Sequence, residues 1–167
     1  FEIDQGRSGV ARELFKTDRD LTDTITVPFC PESKLSGVGH LDFMQAVWYK
    51  RSVTLTAEQL SGKVMLHFGA VDQIAEVYLN GKHIGSHAGG YGHFSFDVTE
   101  ILSEENILEV HVTDTLDKKL PYGKQRRKRG GSGEGIHAVA KQTLCKGNDG
   151  AAASIIRQRE AVFKQHH

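Results

Sequence analysis

The chain has 167 residues, 38% of them hydrophobic and 25% charged, with 18 Gly and 3 Pro. That length suits one domain with an appendage and is too short for a (β/α)8 barrel of about 250 residues. The near-average composition excludes wholesale disorder and a fibrous repeat, and the short apolar runs exclude a membrane-spanning helix. No basic-then-apolar leader follows Phe1, so no signal peptide is read. Cys30 and Cys145 form neither a disulfide framework nor a zinc spacing. They are expected to be reduced thiols in a cytoplasmic protein.

The formal net charge of zero conceals a division. Residues 1–120 hold 11 Lys and Arg against 18 Asp and Glu, a balance of −7, and residues 121–167 hold 10 against 3, a balance of +7. The switch falls beside the Gly-rich stretch KQRRKRGGSGEG at 124–135, the strongest boundary signal in the chain. Three segments follow: a body at 1–125, a basic Gly-rich linker at 126–135, and a tail at 136–167.

In the body, residues 46–56 (AVWYKRSVTLT) are β-branched and aromatic, and their far half alternates polar and apolar with period two. Residues 63–69 place Val64, Leu66 and Phe68 on one face. Residues 74–79 (IAEVYL) lead through Asn80-Gly81, the strongest short hairpin signal, into a return strand at His83 and Ile84. Phe94 and Phe96 alternate within 92–97, as do Leu108, Val110 and Val112 within 107–114. Between these strands, Val98 to Leu102 is predicted to form a short helical turn capped by Asp97 and Thr99. Five or six short strands about ten residues apart predict an all-β fold, an antiparallel β-sandwich or barrel.

The order of the blocks carries a resemblance. TVPFCPES (26–33) precedes AVWYKRSVTL (46–55). HFGAVDQIAEVYLNGKHIGSHAGGYGHFSFDVTEIL (67–102) and NILEVHVTD (106–114) follow, then LPYGKQ (120–125). Over roughly residues 1–131 this resembles the N-terminal sugar-binding domain of glycoside hydrolase family 2, which includes β-galactosidases and β-glucuronidases. The resemblance implies a jelly-roll sandwich beside a separate catalytic barrel, with the family's two catalytic glutamates on that barrel. Retaining glycoside cleavage needs two carboxylates about 5–5.5 Å apart on one scaffold, and this chain shows neither the barrel motifs nor room for them. No catalytic residue and no cofactor is therefore assigned.

The resemblance implies a supporting role: packing beside the barrel and shaping the entrance to a β-glycoside site. Two residues are candidates for substrate contact. Asp114 ends the last strand before LPYG, where a carboxylate accepts hydrogen bonds from sugar hydroxyls. Tyr91, in the loop His87-Ala88-Gly89-Gly90-Tyr91, is the aromatic best placed for exposure. Trp48, within a strand, is expected in the core. Lys50 and Arg51 are expected in internal ion pairs. His83, His87, His93 and His111 share no ligand spacing with carboxylates, so no metal is assigned. His166 and His167 are left aside as the stump of a tag.

The tail departs from the resemblance. It contains no Trp, and residues 136–146 and 151–165 read as two helices broken at Gly147 to Gly150. A shifted reading frame, a foreign fusion and a divergent natural end all fit this change, and the first is preferred because the match stops mid-motif. Loss of a closing strand would leave a sheet edge open to self-association. Arg126 to Arg129 lack an aromatic platform or a groove-reading helix, so nucleic acid is not the expected partner. The expected function is a non-catalytic sugar-binding and scaffold domain of a β-glycosidase. The alternatives are a free-standing lectin-like module and an interaction protein acting through its basic tail.

Overall fold

The computed structural model describes residues 1–27 and 29–114, and the backbone of 139–146. Its strands are β1 (Glu2–Ile3), β2 (Ala46–Thr54), β3 (Val64–Val71), β4 (Ile74–Leu79), β5 (Lys82–Ala88), β6 (Phe94–Asp97), β7 (Glu105–Thr113) and β8 (Val139–Lys146). One sheet has the order β1-β2-β7-β4-β5 and the other β6-β3-β8, with antiparallel pairing throughout. The expected sandwich is the observed fold.

The two-residue period decides which side chains face the other sheet. Val47 and Tyr49 of β2, Ala75, Val77 and Leu79 of β4, and Leu108, Val110 and Val112 of β7 point inward. There they meet Val64, Leu66, Phe68 and Val71 of β3, with Phe94 and Phe96 of β6 packed alongside. Phe68 stacks on Phe94 with ring centroids 4.8 Å apart and meets Phe96 edge-on at 6.5 Å.

The local turns follow their residues. Asn80 (φ 53°) and Gly81 (φ 77°) close the β4–β5 hairpin with Leu79 opposite Lys82, the double positive φ of a type I′ turn. The Asn80 side chain also donates to the Ile101 carbonyl at 3.1 Å and to Asn106 Oδ1 at 3.0 Å, and accepts from the Ile107 amide at 2.9 Å. In the turn after β6, Asp97 Oδ1 is the cap, accepting from the Thr99 amide and hydroxyl. Thr99 itself ties the turn to β3 by accepting from the Val64 amide at 3.0 Å. A single helical turn, α1 (Ala57–Leu60), begins with a capping box between Thr56 and Gln59.

The outer face of the larger sheet is covered by the chain's own loop 4–22. This loop leaves β1 and returns where the Asp23 amide donates to the Phe1 carbonyl at 2.9 Å. Leu14 packs on Trp48 and Tyr78, with Phe15 and Leu21 beside them, as a second apolar cluster. Trp48 is fully buried there, as expected, though beneath this loop and not between the sheets.

The tail differs from its sequence reading. Residues 139–146 form β8, antiparallel to β3 from Val139↔Val71 to Lys146↔Val64. Predicted as part of a helix, this segment instead supplies the neighbour that the smaller sheet lacks on that side. Its sequence, VAKQTLCK, has no long apolar periodicity of its own, and pairing with a buried strand overrides weak local preference. The predicted helix at 151–165 and the basic run 126–129 lie outside the described residues.

Candidate functional site

Asp114, Gln73 and Gly89 sit one step beyond three adjacent strand ends. Register places Thr113 of β7 opposite Ile74 of β4, and Ile74 opposite Ala88 of β5. Thr113 is also opposite Ala46 of β2, so Gln45 closes the row. The Gly89 amide donates to the Gln73 carbonyl at 2.9 Å, and the Asp114 amide donates to the Gln45 carbonyl at 3.1 Å. Arg7 Nη2 reaches the Asp114 carbonyl at 3.2 Å. Gln5 ties in by donating to the Phe43 carbonyl and accepting from the Gln45 amide.

Both sequence-predicted site residues therefore lie at the same end of the sandwich, in different settings. Tyr91 is 74% exposed, whereas Asp114 is 5% exposed. Tyr91 is presented by a loop whose shape depends on Gly90. A Cβ on Gly90 would lie 2.4 Å from Asp72 Oδ1, so the Asp72 carboxylate occupies the side-chain space. The glycine there serves an internal contact first and exposure second. Beneath the loop, His87 stacks on Phe94 with centroids 4.1 Å apart.

Sequence reasoning did not single out Arg7, Gln45, Asp72 or Gln73 as members of this rim. Gln45, Asp72 and Gln73 lie next to strand ends and Arg7 lies in the loop after β1, a grouping that becomes legible once the register is known. Lys50 is in an ion pair as expected, with Glu109 at 3.4 Å. Arg51 is exposed and, among the described residues, forms no salt bridge. It lies opposite Leu108 on the same face as Tyr49, at a cavity open to water.

Elsewhere, a cavity of about 310 Å³ is lined by Phe1, Asp23, Ile25, Tyr49, Arg51 and Leu108, away from either candidate. Burial pushes the Cys30 thiol above its ordinary pKa, which disfavours the reactive thiolate. Among the described residues no group of three His, Cys, Asp or Glu side chains is placed to hold a metal ion. No described helix is long and apolar enough to cross a membrane.

The sandwich with its polar rim agrees with a family-level match. Residues 24–154 fit the model of the glycosyl hydrolase 2 galactose-binding domain-like family. The chain belongs to that family.

The match also runs well past residue 131, where the sequence reading ended it, and includes β8. The reason for preferring a shifted reading frame therefore falls away. Among relatives, a family 2-like stretch of 83 residues is 35% identical to a β-galactosidase of Thermoanaerobacter pseudethanolicus, covering 48% of this chain and 11% of that protein. Seventy residues are 41% identical to a β-glucuronidase of Formosa agariphila, covering 41% of this chain and 7% of that protein. A solved β-glucuronidase of Bifidobacterium dentium superposes with a TM-score of 0.55 at 32% identity, over 60% of this chain and 16% of that one. The aligned region is thus a small part of each relative.

Proposed function

We propose that this chain serves as the non-catalytic, sugar-facing scaffold domain of a β-glycosidase. In this reading it packs beside a catalytic domain and lines the approach of a β-galactoside or β-glucuronide. The observation that carries the proposal is the convergence of Asp114 and the Tyr91 loop on one end of the sandwich, inside a family 2 domain. Tyr91 offers an exposed ring for a pyranose face, and Asp114 supplies an acceptor at the floor of the rim. The catalytic pair that hydrolysis requires belongs to another domain.

The test is a thermal melt of the chain with galactosides and glucuronides at about 100 mM. A ligand bound only by the folded state stabilises it by RT ln(1 + [L]/Kd), so even millimolar affinity shifts the midpoint. The expected result is a cooperative melt raised by one sugar class, with the shift lost in Tyr91→Ala and reduced in Asp114→Asn. A cooperative melt unmoved by every sugar, or a shift untouched by both substitutions, removes these residues from the role.

A further inference from the structure

Loop 4–22 closes over two titratable side chains that the rim does not use. Glu109 and His111 lie two residues apart on β7 and face the loop. Glu109 is fully buried, and among the described residues nothing donates a hydrogen bond to either carboxylate oxygen; His111 is 8% exposed, and neither ring nitrogen has a hydrogen-bond partner among the described residues. Lys50 stands opposite Glu109 on β2, with its Nζ 3.4 Å from Oε1. The same ammonium donates to the loop carbonyls of Lys16 (3.0 Å), Thr17 (3.1 Å) and Arg19 (2.5 Å). One cation thus joins the buried acid to the loop that buries it.

The remaining charged and titratable groups around this layer come from every packed element. From β2, Trp48 stacks on His111 with centroids 4.4 Å apart. From β4, Tyr78 is opposite Glu109 and Glu76 is opposite His111; His83 of β5 is bound to Glu76. From β1 and the loop come Glu2 and Asp4, both paired with Arg12, and Arg7. None of them hydrogen-bonds Glu109 or His111.

We propose that loop 4–22 is a latch whose closure selects the uncharged forms of both Glu109 and His111, so that the two groups oppose each other in setting how tightly it shuts. An ion left beneath the loop without hydrogen bonds regains water when the loop lifts, so charging either group favours the open state. The loop's two ends meet where the Asp23 amide donates to the Phe1 carbonyl; opening releases its ties to the body through Gln5, Arg7 and Lys50, and with them the turns that those ties support, such as Leu14 N–H to the Gly9 carbonyl.

The two directions follow from linkage. Burial raises Glu109 from its ordinary 4.5 to about 7, against the pull of Lys50. Its contribution to closure is full below 4.5 and is lost as pH rises through about 7. Burial lowers His111 below its ordinary 6.5, against the pull of Asp4 and Glu76. Its contribution is full above 6.5 and is lost as pH falls from there. Below pH 6.5 and above 4.5 the two slopes therefore have opposite signs.

Hydrogen exchange on the whole chain tests the latch, read at the amides of Arg12, Leu14 and Lys16 and corrected for intrinsic rates. In the native chain, protection of these amides should depend on pH less steeply than in either variant. In Glu109→Gln it should fall toward acid, and in His111→Phe it should rise toward acid, each by up to tenfold per pH unit for one linked proton. Amides of β7 should stay unchanged. Slopes of the same sign in the two variants overturn the proposal, as does a loop slope shared by β7, which would mean global unfolding. If one variant does not fold, the other decides: the stated sign of its slope upholds the proposal, and a flat or opposite slope overturns it.

Discussion

Asp4 accepts the indole N–H of Trp48 at 3.3 Å, a hydrogen bond between residues 44 apart in sequence. Its carboxylate also accepts from the amides of Ser8 at 2.9 Å and Gly9 at 2.7 Å. Burial works against the charged form, but these hydrogen bonds prevail and hold the acid below its ordinary 3.8. Asp4→Ala leaves several buried donors unpaired and should cost about 3 kcal/mol, or roughly 10 °C in Tm for a domain of this size. The stabilisation is present above pH 3.8 and lost as pH falls below it, so Asp4→Asn should flatten the acid limb of stability against pH. A melt of Asp4→Ala within 2 °C of the parent, on the roughly 2–4 °C per kcal/mol scale, would disprove this account.

Phe68 is 1% exposed and holds the aromatic group that fills the space between the sheets. Phe68→Ala should destabilise by about 3–5 kcal/mol through lost burial and a residual cavity. Tyr91→Ala, on the exposed rim, should stay within about 0.5 kcal/mol. Urea titrations of the two variants check the contrast, and similar midpoints would contradict the core assignment.

Asn80 combines a left-handed backbone with three side-chain hydrogen bonds. Asn80→Gly keeps the backbone and loses the bonds; Asn80→Ala loses both. The alanine variant should therefore be less stable by about a further 1 kcal/mol. Equal stability in chemical denaturation would show that the turn conformation contributes nothing.

Gly90 faces the Asp72 carboxylate at a distance no Cβ tolerates, whereas a Cβ on Gly6 would meet only Ser8 Oγ at 3.9 Å. Gly90→Ala should cost about 1–3 kcal/mol and disturb the Tyr91 loop, while Gly6→Ala should be close to neutral. Thermal melts of the pair decide; a neutral Gly90→Ala would mean that the loop adjusts without loss.

The strands were legible because alternation at Val64, Leu66 and Phe68, and at Leu108, Val110 and Val112, reports the inward face directly. The hairpin was legible because Asn-Gly is a local instruction. Loop 4–22 was not, since its apolar residues Leu14, Phe15 and Leu21 are sparse and take their meaning from Trp48 and Tyr78, far away in sequence. The same applies to Glu109. In sequence it is one polar residue on an alternating strand, and only the covering loop turns it into a buried acid. Residues 139–146 were misread because strand pairing with β3 is a non-local property.

That last pairing has a bearing on how the domain can be divided. The composition break near residue 125 is an inviting place to cut, yet β3 there would lose the eight-residue neighbour that shields its backbone on one side. A piece ending at 125 keeps every strand of the larger sheet and still exposes a ready template for intermolecular pairing. A cut anywhere before Val139 therefore removes a strand from the smaller sheet.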